Sequence, residues 1–118
     1  MSRAATTSDV FNAIAEPRRR QIVELLAHRG TLAVGAMVAA LGLPQPAVSK
    51  HLAVLHEVGI VSATRDGRQR MYRLEAKELR MVHDWVNKFE RLWSHQLVRI
   101  KERAERKARE LPRSSPQR

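Results

Sequence analysis

Two short segments in the middle of the chain carry most of the side chains that could do chemistry. The first opens at Gln45 and offers amide, small apolar, hydroxyl, ammonium and imidazole groups, on Gln45, Pro46, Ala47, Ser49, Lys50 and His51. The second surrounds Asp66-Gly67 and offers guanidinium and amide groups, on Arg65, Arg68, Gln69 and Arg70. Amides bind adenine edges bidentately, ammonium and imidazole groups reach guanine acceptors, and guanidinium groups bind phosphate. These residue types predict contacts with duplex DNA.

Each segment also has a simpler structural explanation. The polar residues around Lys50 can be the solvated side of an ordinary amphipathic helix, and the arginines beside Asp66-Gly67 can protect a strand edge from aggregation. A helix with such groups directly before a basic hairpin favours DNA binding instead. The sequence contains no pattern of paired carboxylates, Ser-His-Asp, phosphate-binding loop or metal dyad. We therefore expect no enzymatic activity and no cofactor.

A helix must position the first segment. Val48, Leu52 and Leu55 recur at steps of four and three, which predicts a helix from Gln45 to near Gly59 with these residues on its buried side. At 100° per residue, the polar groups then lie away from that side. Residues 45–57 are accordingly the predicted recognition helix.

Three more helices are predicted before it. Ser8 is the expected N-cap of the first, and Pro17 is the expected start of the second, which ends at Gly30. Residues 34–41 form a short apolar helix closed by Gly42. A turn of about three or four residues containing glycine then leads to the recognition helix, which is the form of a helix-turn-helix.

The hydrophobic period changes after residue 59. Residues 60–65 are rich in β-branched side chains, Asp66-Gly67 is a strong hairpin signal, and residues 71–74 can form the returning strand. Residues 60–74 are therefore the predicted wing, a basic hairpin beside the recognition helix.

An apolar stripe dominates the C-terminal part of the chain. No proline or glycine occurs between Glu75 and Pro112, and apolar residues recur there at steps of three and four, at Leu79, Val82, Val86, Phe89, Trp93, Leu97 and Ile100. This spacing predicts a single helix of roughly 30 residues, about 45 Å long. Because so small a domain cannot cover such a rod, we expect the stripe to meet a second copy of the chain.

Composition agrees with a small DNA-binding protein. The 118 residues include 22 Lys and Arg against 12 Asp and Glu, a net charge of +10, which favours polyanionic partners. There is no cysteine, so disulfides and thiolate metal sites are excluded. Aromatic residues make up only 4%, few for a protein that stacks single-stranded bases. No apolar run approaches the 18 residues of a membrane span and no secretory signal is evident, so we expect a cytoplasmic protein, associated with the nucleoid when bound.

Taken together, these motifs resemble a known family. The segments FNAIAEPRRR from Phe11 and QPAVSKHL from Gln45, followed by Leu55, Gly59 and the basic hairpin, are similar to the ArsR family of winged helix-turn-helix repressors. The resemblance covers about residues 8–102. It implies a mostly α-helical fold of about five helices with one β-hairpin wing and a long C-terminal dimerisation helix.

The resemblance also implies a homodimer that binds an operator. Its interface would be built from the first and last helices, at Val10, Phe11, Ile14, Val82, Val86, Phe89, Trp93, Leu97 and Ile100. Domain boundaries follow: a flexible N-terminus over 1–7, the winged domain with its dimerisation helices over 8–110, and a disordered basic tail over 111–118.

The chain departs from the family pattern at its sensing positions. Known members bind metals through cysteines in the helix before the recognition helix, but this chain has no cysteine. Other members bind zinc between the last helices, where the candidates here are His83, Asp84 and His95. Met81 and Val98 stand where further ligands would be needed, so we expect no metal site and a metal-independent branch. Pro44 replaces the usual Ser or Thr N-cap of the recognition helix.

Each of two basic runs has two interpretations, and the sequence is compatible with three other functions. Arg18, Arg19 and Arg20 can contact phosphate, or can lie on a solvated face with one of them paired to Glu16 or Glu24. The stretch from 101 to 109 alternates with glutamates and is either a solvated helix end or a non-specific DNA-binding tail. The rival functions are an effector-responsive switch near Trp85, Phe89 and Trp93, a protein-interaction module, and a non-specific DNA binder. The sequence does not identify an effector.

Overall fold

The computed structural model describes residues 4–110, which form six α-helices and a three-stranded antiparallel sheet. The elements are α1 (Thr7–Ala15), α2 (Pro17–Arg29), β1 (Leu32–Ala33), α3 (Val34–Leu41), α4 (Gln45–Glu57), β2 (Val61–Asp66), β3 (Gln69–Leu74), a 3₁₀ turn (Ala76–Leu79), α5 (Arg80–Asn87) and α6 (Glu90–Glu110). The predicted tail at 111–118 and the first three residues of the predicted flexible N-terminus lie outside the described part. The chain divides into two compact units between His83 and Asp84.

The N-terminus of α1 is capped two residues earlier than the sequence predicts. The Thr6 hydroxyl accepts a hydrogen bond from the Asp9 backbone N–H at 3.1 Å, and the Asp9 carboxylate accepts one from the Thr6 N–H at 3.0 Å. This reciprocal capping box satisfies two backbone donors, so the prediction of Ser8 as the N-cap was wrong. The predicted start of α2 at Pro17 is confirmed, with the Glu16 carboxylate as its cap.

Two consecutive arginines of α2 hold the end of α1. Arg19 donates through Nε to the carbonyl of Ala13 at 2.6 Å, and Arg20 donates through Nη1 to the carbonyl of Ile14 at 2.8 Å. Carbonyls at a helix C-terminus lack partners within the helix and carry negative partial charge, so guanidinium groups stabilise them. Neither interpretation of the arginine run foresaw this role.

The core of the first unit is formed by the apolar sides of four helices and the start of the hairpin. Its fully buried side chains are Val10, Ala13, Ile22, Leu26, Met37, Val48, Leu52, Leu55, Ile60 and Val61. Gly42 ends α3 in the left-handed conformation (φ 67°), which favours glycine, and the chain reaches α4 three residues later. The helix-turn-helix and the bounds 45–57 of its second helix are confirmed.

The hairpin is confirmed, and it belongs to a slightly larger sheet. Strands β2 and β3 pair from Val61↔Leu74 to Asp66↔Gln69, which leaves Gly67 and Arg68 as the two-residue loop. The two-residue strand β1 pairs with β3 on its other edge, giving the order β1-β3-β2. Sequence reasoning missed β1 because two residues carry no readable period.

The prediction of one continuous C-terminal helix was wrong. A 3₁₀ turn precedes α5, and a further turn at 88–89 separates α5 from α6. There the N–H groups of Lys88 and Phe89 donate to carbonyls three residues back, those of Trp85 and Val86. Asn87 stands directly before the break, and asparagine is unfavourable inside helices because its side chain competes for backbone hydrogen bonds. Within residues 4–110, no helix combines the length and hydropathy needed to cross a bilayer.

Candidate nucleic-acid interface

Helix α4 is fixed to the core along one side and presents polar groups on the other. Val48, Leu52 and Leu55 are fully buried, while Gln45 and Lys50 are exposed. Of the other predicted contact residues on this helix, Pro46 is exposed, and Ala47, Ser49 and His51 are partly buried. The predicted polar side of the helix is therefore present, and the apolar Val54 packs against the core.

One side-chain bond organises the start of α4. The amide nitrogen of Gln45 donates to the hydroxyl of Ser49, one turn along the helix, at 3.3 Å. The N-cap is Pro44, whose carbonyl accepts from the N–H groups of Ala47 and Val48, and no side chain caps the helix. A helix N-terminus is a favourable place for anionic groups such as phosphate.

The hairpin presents two arginines directly opposite each other. Arg65 on β2 pairs in register with Arg70 on β3, and both are exposed. Like charges directly opposite on a sheet face are destabilising. The guanidinium carbon of Arg70 lies 5.8 Å from the centre of the Tyr72 ring, within the range of a cation–π interaction. Arg68 in the loop and Gln69 beside it are exposed as well, so all four predicted hairpin residues lie at one tip.

A polar network that the sequence analysis did not identify ties the base of the hairpin together. The Glu75 carboxylate accepts from the Ser62 hydroxyl at 2.7 Å and from Nε of Arg73 at 3.0 Å. These two bonds, first that of Ser62 and then that of Arg73, hold the pKa of Glu75 below its ordinary value. The carboxylate thus links both strands to the segment that follows them.

The residues predicted at a dimer interface fall into two groups. Val10 is fully buried in this chain's own core, Ile14 and Val82 are partly buried against that core, and Phe11 is partly buried. The others on α5, α6 and the turn between them are between 41% and 56% exposed, namely Val86, Phe89, Trp93, Leu97 and Ile100. The rings of Trp85 and Phe89 also meet edge to face, with centroids 5.1 Å apart. An apolar surface of this extent is typical of a protein interface.

His83, Asp84 and His95, the family's candidate metal positions, are all exposed. Among the residues that the structure describes, no group of three or more His, Asp or Glu side chains could hold a metal ion. The absence of a metal site stays a prediction.

The helix-turn-helix and basic hairpin are similar to those of known proteins. The sequence model described as "Bacterial regulatory protein, arsR family" matches residues 16–63, from the cap of α2 into β2. The HTH-type transcriptional regulator Rv2034 of Mycobacterium tuberculosis is 36% identical over 98 residues, covering 83% of this chain and 88% of that protein. The chain belongs to the ArsR family.

Two further proteins similar to this ArsR-family protein are a repressor and a homodimeric DNA-binding domain. The transcriptional repressor SdpR of Bacillus subtilis is 30% identical over 82 residues, covering 70% of this chain and 90% of that protein. A solution NMR structure of the homodimeric winged helix-turn-helix DNA-binding domain Mb0332 from Mycobacterium bovis has a TM-score of 0.59 and 34% identity, covering 72% of this chain and 80% of that chain. The protein is therefore a winged helix-turn-helix, DNA-binding transcription regulator and not an enzyme.

Proposed function

We propose that this ArsR-family regulator acts as a homodimeric repressor that binds a pseudo-palindromic operator. Helix α4 enters the major groove and the wing, residues 60–74, holds the flanking DNA. The observation that carries this proposal is the placement of Gln45 and Lys50 on the exposed side of a helix whose other side is fully buried. A helix held in this way can present its N-terminal side chains to base edges without unfolding any part of the core.

Each predicted contact residue has a role that suits its chemistry. Gln45 pairs with an adenine edge, Lys50 and His51 approach guanine acceptors, and Ala47 meets a thymine methyl. Pro46 and Ser49 pack near the phosphate backbone at the start of the helix. In the wing, Arg65, Arg68, Gln69 and Arg70 contact flanking phosphates or the adjacent minor groove.

Dimerisation places two such helices on one duplex. The exposed apolar residues from Val86 to Ile100 support it, and so does the homodimeric form of the M. bovis relative. Two recognition helices about 34–36 Å apart match successive major grooves, which makes the operator two-fold symmetric. Occupation of a promoter would then exclude polymerase, in line with the repressor role that the name of SdpR gives that relative.

Binding selection from a random duplex library tests sequence recognition directly. At about 0.15 M salt, where weak surface attraction is partly screened, we expect a two-fold-symmetric motif to converge with half-sites one helical turn apart. Strong salt-sensitive binding without any enriched motif would overturn specific recognition and leave a non-specific binder.

A pair of double variants then tests helix α4. Lys50→Ala with His51→Ala should abolish binding to the selected motif while the oligomeric state in sedimentation stays unchanged. The matched control, Lys77→Ala with His28→Ala, removes the same residue types from exposed positions outside α4 and the wing. If both double variants lose the same affinity, α4 does not read the operator.

A further inference from the structure

Helix α6 carries a ridge of basic residues separate from the helix-turn-helix and the wing. Five positions at four-residue intervals hold arginine, histidine or lysine, namely Arg91, His95, Arg99, Arg103 and Lys107. Side chains four residues apart are neighbours on a helix surface, and each step turns by about 40°, so the five form a row, here called the α6 ridge, that winds about 160° around the helix. The row is about 24 Å long at 1.5 Å per residue.

The ridge is exposed along its whole length, and it lacks counter-charges at its own spacing. All five side chains are exposed, and in the part of the chain that the structure describes none of them has a hydrogen bond or an ion pair. Glu102 and Glu110 stand three residues from Arg99 and Lys107 without bonding to them. Like charges at i,i+4 destabilise a helix by about 0.2–0.5 kcal/mol a pair, so the pairs Arg99–Arg103 and Arg103–Lys107 are unfavourable without an anionic partner.

The other cations of α6 are distributed differently. Lys101 and Arg109 each stand four residues from Glu105, and Arg106 stands four residues from Glu102. At the four-residue spacing, the glutamates of α6 thus accompany the off-ridge cations, whereas the ridge meets Glu102 and Glu110 only at the three-residue spacing. Two shallow grooves follow the ridge, and their walls include Arg91, Leu92, His95, Gln96, Arg99, Ile100 and Arg103.

We propose that the α6 ridge is a second, sequence-independent DNA-binding surface that contacts the phosphate backbone. Its three arginines, Arg91, Arg99 and Arg103, lie within a sector of about 120° and span about 18 Å, or about five base pairs of duplex at 3.4 Å per pair. Arginine also suits phosphate because its fork of N–H donors binds two oxygens at once. The inference does not depend on base reading by α4, because the ridge needs only backbone charge.

The test compares two triple variants of the full chain with the same net charge. The ridge variant is Arg91→Gln, Arg99→Gln and Arg103→Gln, and the off-ridge variant is Lys101→Gln, Arg106→Gln and Arg109→Gln. Both lose three positive charges a protomer, and glutamine keeps a similar helix propensity. Far-UV circular dichroism and sedimentation verify that each variant keeps the helix content and assembly of the unchanged protein.

Affinity for a 40-bp duplex without an enriched motif is then measured against salt concentration. The ridge variant should lower the slope of log K against log salt by about 0.9 for each lost contact, up to about 2.7 a protomer, while the off-ridge variant changes it little. Equal slopes for the two variants, or no change in either, would overturn the proposal. A ridge variant that keeps its DNA slope but loses binding to vesicles with anionic lipid would overturn it in favour of a membrane surface.

Binding selection on the ridge variant separates this inference from the proposed function. The selected motif should be the same as that of the unchanged protein, because the ridge does not read bases. If no motif emerges from the unchanged protein and the slopes still differ between variants, operator reading fails and the ridge stands.

Discussion

Gln45 and Ser49 share a hydrogen bond at the start of α4, with the Gln45 amide nitrogen 3.3 Å from the Ser49 hydroxyl oxygen. The bond uses one of the two N–H groups of the amide. The second N–H and the carbonyl oxygen stay available, and these are the donor and acceptor that bind an adenine edge bidentately. Under the proposed function, Ser49 is thus placed to orient Gln45 before DNA binds, which lowers the entropy lost on binding.

Removal of the Ser49 hydroxyl should therefore weaken base selection more than it weakens folding. For Ser49→Ala, we expect operator affinity to fall by about 0.5–1.5 kcal/mol, the usual net contribution of a hydrogen bond, or about 2- to 13-fold. The base preference at the position that Gln45 contacts should broaden in binding selection. Ser49→Thr keeps a hydroxyl and should retain the preference. If both variants keep a sharp preference, Ser49 does not orient Gln45.

A substitution at the opposed pair Arg65 and Arg70 of the wing should change the stability of the fold and the affinity for DNA in different directions. For Arg65→Gln, we expect the free energy of unfolding to stay level or rise by up to about 1 kcal/mol, because a like-charge cross-strand pair disappears. DNA affinity should fall, with a salt slope lower by about 0.9 for each lost phosphate contact. Urea unfolding and anisotropy titrations measure the two effects.

Arg73 provides the control for that experiment. It lies on the same strand as Arg70, but it alternates to the opposite sheet face, where it bonds to Glu75. Arg73→Gln should lower stability and affect DNA binding less than Arg65→Gln does. Equal losses of affinity would mean that only the net charge of the wing matters.

Features with local signals could be predicted from the sequence. Gly42 closes α3, the apolar steps of Val48, Leu52 and Leu55 define the buried side of α4, and Asp66-Gly67 marks the hairpin. Features that depend on distant partners could not. Strand β1 exists only because β3 offers it an edge, and the Glu75 network joins residues 13 positions apart. The break between α5 and α6 contains no proline or glycine, and apolar residues recur at steps of three and four on both sides of it. The sequence therefore gives no signal of the break.

The arginines at the start of α2 should matter for stability rather than for DNA binding. Arg19→Ala removes a partly buried bond to the end of α1, and we expect the free energy of unfolding to fall by about 1.5–3 kcal/mol, the range for bonds to charged groups. Arg18→Ala is the matched control, because within the described residues the Arg18 side chain bonds only to the Gln21 side chain, and its backbone N–H keeps the bond to Glu16. It should change stability by less than about 0.5 kcal/mol. Equal losses of stability in both variants would contradict the capping role of Arg19.

Glu75 should make part of the free energy of unfolding depend on pH. Its pKa is lowered in the folded protein by the bonds from Ser62 and Arg73, so its contribution is fully present above the ordinary carboxylate pKa. That contribution is lost as the pH falls through the lowered value. Urea unfolding between neutral and acidic pH should therefore show a shallower loss of stability for Glu75→Gln than for the unchanged protein. Glu24→Gln, which removes an exposed carboxylate elsewhere, should keep the steeper loss, and an identical curve for both variants would exclude this role.

Leu97 and Val98 allow a sharp test of the proposed dimer surface. The two neighbours are 52% and 54% exposed, but only Leu97 belongs to the apolar stripe that also holds Trp93 and Ile100. At 100° per residue, Val98 lies well to one side of that stripe. A glutamate buried against a partner subunit loses its hydration without gaining a counter-charge, whereas an exposed one costs little.

Leu97→Glu should therefore shift the protein to a monomer in sedimentation at micromolar concentration and weaken operator binding, while Val98→Glu leaves both unchanged. A dimer that survives Leu97→Glu, or dissociates equally with Val98→Glu, would place the interface elsewhere on the chain.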